Sequence, residues 1–287
     1  DFDRILDTID DHILWIKREH DWGYSVPSLM AGVFSSHPNN VSYLLKKNRL
    51  QTKDIRYILA MTDAETRKRY DYENIDRLYL AYSSSKFDDK TNLNLLKSHF
   101  KNKGVLVVVF GATSREYRTE IVRFIRENRP VVISVNHVYC AYKPDFLFYG
   151  NHRRYGSSPR LGEGIRRIIT SNIPSKCDDD IVVDYSKVIS LGYENYDNTT
   201  VMLLNLLRNV GVKSISIAGL DGYAREFREN YADEILSHNA PSEPYDASRN
   251  EELSALLKHF AESLTDGQTV RSITPGRFQS IFEGRST

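Results

Sequence analysis

Cysteine is scarce. Cys140 and Cys177 are the two in 287 residues, which leaves no disulfide framework and no cysteine-based metal set. A reducing, cytoplasmic setting is the simpler expectation. Excess charge is missing as well. The 39 Lys and Arg nearly match the 38 Asp and Glu, for a formal net charge of +1, so nothing pulls the whole chain toward nucleic acid or an acidic membrane. No apolar run approaches the ~20 residues needed to span a bilayer, and no signal peptide is visible. His137, His152, His238 and His259 lack metal-ligand spacing, so no metal site is expected. No internal repeat or low-complexity segment stands out. The chain opens at Asp1 without Met, in what reads as mid-helix, and is expected to be part of a longer protein.

What is present suits a globular chain. Apolar residues make up 40% and charged residues 27%, enough for a real core, and the length fits one or two domains. The organising stretch runs from Gly104 to Asn136. Val105 to Phe110 is a β-branched apolar run of the kind buried on both faces in a parallel sheet. The turn Gly111-Ala112-Thr113-Ser114 follows. A helix-period segment then carries Ile121, Val122, Phe124 and Ile125 on one face. Val131 to Val135 is a second apolar run. This is a βαβ unit, and its ligand crevice is expected beyond the strand ends, at Gly111–Ser114 and Asn136-His137.

Residues 1–82 read as a small helical domain. Phe2, Ile5, Leu6, Ile9, Ile13 and Ile16 have helical spacing, and Asn40 is expected to cap a helix over Val41–Lys47. Further helices are expected after Thr52 and Asn74. Residues 83–91 are a polar, Ser-rich linker, and 92–287 form a Rossmann-like α/β domain with a mainly parallel sheet. Asp145 to Tyr149 reads as a third strand. Residues 166–173 fit strand or helix. Residues 181–183 and 188–191 are short strand candidates. Asp197-Asn198-Thr199-Thr200 caps a helix from Val201 to Val210, which leads to a strand over Ser214–Ala218. Residues 224–250 read as a lid or loop, 251–264 as an amphipathic helix and 270–273 as an edge strand.

Several motifs could carry chemistry. Gly111-Ala112-Thr113-Ser114 is neither a Walker A loop nor a GxGxxG fingerprint, but it can offer amides and hydroxyls to phosphate; a tight turn with a Ser cap is the other reading. Asn136 and Asn151 end strands and could fix a base or sugar hydroxyl, or simply form turns. Thr199 could hold a ligand while a neighbour caps the helix. Gly219-Leu220-Asp221-Gly222-Tyr223 places a carboxylate and a phenol past a strand; Asp221 could bind a sugar hydroxyl, orient a catalytic group or cap a helix. His238 is the histidine to consider as a base. Arg153-Arg154 with Arg160, Arg166 and Arg167 is the densest basic cluster, suited to phosphate or to solvent.

Two resemblances follow from these residues. DWGYSVPSLMAGVFSSHPNNVSYLL, within 1–82, resembles the segment after the barrel in bacterial proteins related to 4-hydroxy-2-oxovalerate aldolase, an HMG-CoA lyase-like group. It implies an upstream TIM-barrel aldolase domain as partner, and no aldolase activity in this chain alone. Residues 104–278 more distantly resemble the sialyltransferase-like group, which includes bacterial CMP-sialic-acid transferases, flagellin-modifying motility accessory factors and pterin diphosphokinases. The run from Asn198-Thr199-Thr200 through Gly211-Val212-Lys213 to Ala218-Gly219-Leu220-Asp221-Gly222-Tyr223 carries the match. It implies that Thr199 and Tyr223 line a CMP-sugar site, with Asn136 and Asn151 where those enzymes use asparagines. Gly111-Ala112-Thr113-Ser114 stands in place of their Gly-x-Gly-Pro-Ser loop, without the second glycine and the proline. Tyr245 lies near the position of the family's catalytic histidine, and His238 is the nearest histidine. The expectation is a metal-independent glycosyltransferase acting in bacterial surface-glycan synthesis. The resemblance implies a nucleotide-sugar donor of the kind that includes CMP-linked sugars and a glycan acceptor, and it is compatible with a homo-oligomer. A non-catalytic docking module and a pterin-type diphosphokinase are the alternatives.

Overall fold

The computed structural model describes residues 2–13, 26–46, 52–60, 62–84, 88–138, 141–156, 164–173, 177–193, 195–223 and 247–283. His238, Tyr245, Ile16 and the 224–246 part of the expected lid lie outside them. The chain divides into two compact units, Asp1–Lys86 and Phe87–Thr287.

The first unit is helical: α1 (Phe2–Thr8), continued by a π-helical turn over Ile9–Ile13, then α2 (Val26–Phe34), α3 (Pro38–Lys46), α4 (Thr52–Ala60), α5 (Ala64–Lys68) and α6 (Tyr72–Ser84). Leu6, Met30, Val41, Leu44, Ile55, Ile58, Ile75 and Tyr79 are buried together in its interior. Asn40 does not cap its helix. α3 begins earlier, at Pro38, whose fixed φ and missing N–H suit a first turn. Asn40 is instead fully buried, and its Nδ2 donates to the carbonyls of Arg67 and Arg69 at 3.3 and 2.8 Å.

The second unit is α/β and Rossmann-like. Its order is α7 (Lys90–Phe100), β1 (Val105–Val108), α8 (Ala112–Glu116), α9 (Arg118–Asn128), β2 (Val131–Val135), β3 (Phe146–Tyr149), α10 (His152–Gly156), β4 (Arg166–Thr170), β5 (Ile181–Val183), α11 (Thr199–Asn209), β6 (Ser214–Ala218), α12 (Ala247–Glu262), β7 (Thr269–Ser272) and α13 (Gln279–Glu283). The strands form one seven-stranded sheet in the order β5-β4-β3-β2-β1-β6-β7. Every pairing is parallel, from Val105 opposite Val131 to Ser214 opposite Thr269. β1, β2 and β3 are buried at every residue, which is why they read as unbroken apolar runs. Leu106 and Val108 pack with Ile121 of α9, Val132 and Ala218. α11 packs against β2 and β3 and is buried from Thr200 to Leu207.

Three local expectations change. Residues 188–191 are not a strand: a 3-10 turn over Tyr185–Lys187 precedes them, and the Val188 carbonyl is taken by Asn205 Nδ2 at 2.8 Å rather than by a neighbouring strand. The helix after β1 is two helices, broken at Tyr117. Residues 247–250, expected in the lid, already belong to α12.

From β1 the chain steps outward to β5, then returns to place β6 on the other flank of β1. The connection after β1 leads to β2 and the one after β6 to β7, on opposite flanks of that reversal, and in open parallel sheets ligands enter the crevice at such a point. The sheet interior should dominate stability. Leu106→Ala should lower the unfolding free energy of this unit by about 2–5 kcal/mol. Leu191→Ala, at a side chain 56% exposed, should stay within about 0.5 kcal/mol. Urea denaturation of both variants checks this, and equal midpoints would contradict the packing described.

Candidate functional site

A cavity of about 260 Å³ opens at this reversal, near the lower end of small-molecule clefts. Four segments build it: Val109–Gly111 after β1, Val135–His137 after β2, Gly219–Tyr223 after β6, and Asp197–Thr200 at the start of α11, with Arg154, Asn195 and Leu253 completing the wall. Gly111, Asn136, Thr199, Gly219, Asp221 and Tyr223 therefore share one cavity, although more than a hundred residues separate the first from the last.

The β1 and β6 loops are zippered together. Val109 N donates to the Ala218 carbonyl at 2.8 Å, and Gly111 N to the Gly219 carbonyl at 3.0 Å. Gly219 has φ +75°, and a Cβ there would reach 2.8 Å from Ser114 Cβ, so only glycine fits. At Gly111 a Cβ would lie 2.6 Å from Asp221 Cγ. Asp221 then spans the gap. Its Oδ2 accepts from Thr113 N at 2.8 Å, and its Oδ1 accepts from the Thr113 hydroxyl. The protein's own carboxylate thus occupies the start of α8.

That contact corrects the expectation for the glycine turn. The Thr113 amide and hydroxyl are committed to Asp221. Ser114 is fully buried and donates to the Gly111 carbonyl at 2.8 Å. Thr113, Ser114 and Ala112 are not in the cavity wall. Asn151 is also outside it; it opens α10, its carbonyl accepting from Tyr155 N at 3.0 Å and its Oδ1 from Arg154 N at 3.4 Å.

The opposite wall is differently equipped. Asn198 caps α11, accepting from Thr200 N and Val201 N at 3.1 and 3.2 Å. Thr199 is left to face the cavity at the positive end of this 11-residue helix. Asn136 sits in the left-handed region at φ +64°, where a non-glycine residue is uncommon. Its amide N–H donates to the Phe148 carbonyl at 3.0 Å. Its Oδ1 is buried and has no hydrogen-bond partner among the described residues, the sort of unmet acceptor that a ligand donor would satisfy.

The sequence places His137 at the crevice and Arg154 in a basic cluster, and it carries no signal for two further contributors, Asn195 and Asn250. His137 packs edge-on against Phe110 at 5.7 Å. Burial, helped by the Arg154 charge, pushes its pKa down to about 4, so the ring is neutral at pH 7. Arg154 was read only as part of a basic cluster. Asn195, also lining the cavity, is held by Glu252 of α12 through its amide N–H at 3.0 Å and its side-chain Nδ2. Asn250 clamps the Tyr223 backbone from both sides, at 2.8 and 2.7 Å.

Among the described residues no group of His, Cys, Asp and Glu is arranged to hold a metal ion, and no helix is long and apolar enough to cross a membrane. No protein-family model matches the chain, and no curated protein or solved structure matches it.

If Asp221 braces the two loops, Asp221→Ala should lower stability by about 1.5–3 kcal/mol by stranding the Thr113 donors. Asp221→Asn, which keeps an acceptor oxygen, should cost less. Thermal melts followed by circular dichroism check the order; an Asp221→Ala protein that melts like the parent would remove the brace.

Proposed function

We propose that the second unit binds a nucleotide-activated sugar in this cavity and transfers the sugar to a hydroxyl of a surface glycan. One observation carries the reading: a switch-point cavity lined at once by Asn136, whose buried Oδ1 is unmet among the described residues, by the start of α11 and by Arg154. The likeness of the Asn198–Tyr223 run to the sialyltransferase-like group supplies the reaction.

The donor phosphate belongs at the Thr199 end of α11, where the Thr199 hydroxyl and the helix dipole favour an anion while Asn198 holds the Thr200 and Val201 amides, and Arg154 supplies a full charge. It does not belong at the glycine turn, where Asp221 would repel it. Asn136 accepts from a base or sugar donor, and Tyr223 lines the same space. In the transfer, the bond between the sugar and the nucleotide phosphate breaks and the acceptor oxygen bonds to the sugar. The acceptor proton goes to a base, and the nucleotide leaves with the phosphate charge. His238 and Tyr245 remain the candidates for that base, a role worth roughly 10²–10⁴-fold. Asp221 is a positioning residue. The helical first unit is the docking element toward an aldolase barrel.

A pterin-type diphosphokinase has one observation in its favour. Asp197 and Asp221 line the same cavity, and two carboxylates are a common hold for Mg²⁺ beside phosphates.

Thermal-shift measurements with CMP, CDP, UDP, GDP and Mg²⁺-ATP separate these readings. Stabilisation by a pyrimidine nucleotide is expected, and Thr199→Val and Asn136→Ala should each weaken binding by about 1–3 kcal/mol. Stabilisation by Mg²⁺-ATP alone favours the kinase. No stabilisation by any nucleotide leaves the docking module, and unchanged affinity in both variants rejects this cavity.

A further inference from the structure

The cavity holds a titratable ring that the transfer scheme leaves unused. His137 and Arg154 line the same cavity. The ring is half-buried, set against Phe110, and makes no hydrogen bond among the described residues. Its carrier, Asn136, has the strained backbone and the unmet acceptor, so two adjacent residues at the end of β2 face the cavity with polar groups unserved. Among the described residues the charged and titratable groups facing this space are Arg154 in α10, Asp197 before α11, and Asp221 and Tyr223 after β6. Asp221 is turned toward the Thr113 donors. Arg154 and the start of α11 favour an anion here, against the Asp197 carboxylate that precedes the helix.

We propose that His137 is the proton-accepting half of an anion-binding pair with Arg154, so that the cavity takes up a phosphoryl-bearing ligand together with one proton from solvent. The inference rests on the reading that this cavity receives a phosphorylated ligand, and it assigns that ligand's charge to a defined place.

The physical reason is an exchange of neighbours. In the empty cavity, burial and the guanidinium both disfavour a charged ring. An anion placed between the two cations offsets the Arg154 field and offers the protonated ring a charge-assisted hydrogen bond. An opposite charge this close raises such a pKa by about 1–3 units. The group is then more basic in the complex than in the free protein, so affinity rises as pH falls through the bound-state value and levels off below about 4, where both states are protonated.

Isothermal titration of the full chain tests this with two probes, the methyl ester of CMP and inorganic sulfate, whose acid groups do not titrate between about pH 5.5 and 7.5. Each titration is run at both values, in two buffers of different ionisation heat. The expected result is buffer-dependent heat at the lower pH, reporting proton uptake. Affinity there should be tighter by roughly 4-fold for a bound-state pKa near 6, or roughly 25-fold near 7. The uptake should vanish in His137→Gln, whose residual binding of the ester at the higher pH reports an intact cavity. Carbon-13 resonances of the His137 ring in the unaltered protein should move toward the imidazolium position on saturation, a reading that needs no variant. Ester binding with heats and affinities indifferent to pH and buffer overturns the role of His137 and leaves the nucleotide reading standing. Uptake that persists in His137→Gln assigns the proton to another group and also overturns it. Sulfate binding with uptake but no ester binding sustains the inference and rejects the nucleotide. Binding of neither probe rejects both.

Discussion

Asp221 decides where an external anion can go. Its carboxylate crosses from the β6 loop to the start of α8 and bonds Thr113, 108 positions earlier in the chain. Glycines at 111 and 219 let the two backbones come close enough for that reach. A helix start after the first strand of a Rossmann-like sheet ordinarily welcomes a ligand phosphate. Here a fixed internal charge has that place. Anything anionic entering the crevice is turned toward the other helix start, at Asn198–Thr200, and toward Arg154. The distribution of roles across the cavity follows from this one contact.

The end of β2 is held under two local costs. A left-handed asparagine is typically disfavoured by about 1–3 kcal/mol, and a buried acceptor without a donor forfeits about 1–3 kcal/mol more. Either could be relieved by a glycine at 136 or by an apolar side chain there. Keeping a polar side chain in that place gains nothing for the sheet itself, whose hydrogen bonds are complete through Asn136 N. Departures of this kind from local consistency concentrate at functional sites. The adjacent His137 adds a second polar group on the same short turn.

The parts legible in the sequence were those whose signal is local. β1, β2, β3 and β6 are short apolar runs because both faces of a parallel sheet are covered, and no other context produces such runs so regularly. The stretch at 166–173 was ambiguous because only half of it is interior: Arg166 and Arg167 are half-exposed while Ile168 to Thr170 are buried. Residues 188–191 misled for a similar reason. Val188 is buried like a strand residue, yet Leu191 is 56% exposed, and the backbone is served by the side chain of Asn205. In the site, Asn136, Thr199, Gly219 and Tyr223 converge because strand ends and helix starts share one rim. Ser114 and Asn151 followed the same rule and still fell outside, since a nearby carbonyl and an adjacent helix start satisfy them first. The bond from Asp221 to Thr113 spans too much chain for any spacing rule to show it.

The near-neutral chain also bears on how a ligand would be captured. With a formal charge of +1, no long-range field concentrates anions at the surface, and at physiological salt such fields fade within about 8 Å. Attraction must therefore arise inside the cavity, from Arg154 and the start of α11, against the opposing charges of Asp197 and Asp221. Both carboxylates line the same cavity as the cation. A multiply charged phosphate that merely approached would meet repulsion as well as attraction. Only a ligand seated to place its oxygens on the Arg154 side, with a donor directed to Asn136, gains from all of these groups at once. Selectivity in such a cavity is a matter of arrangement rather than of charge.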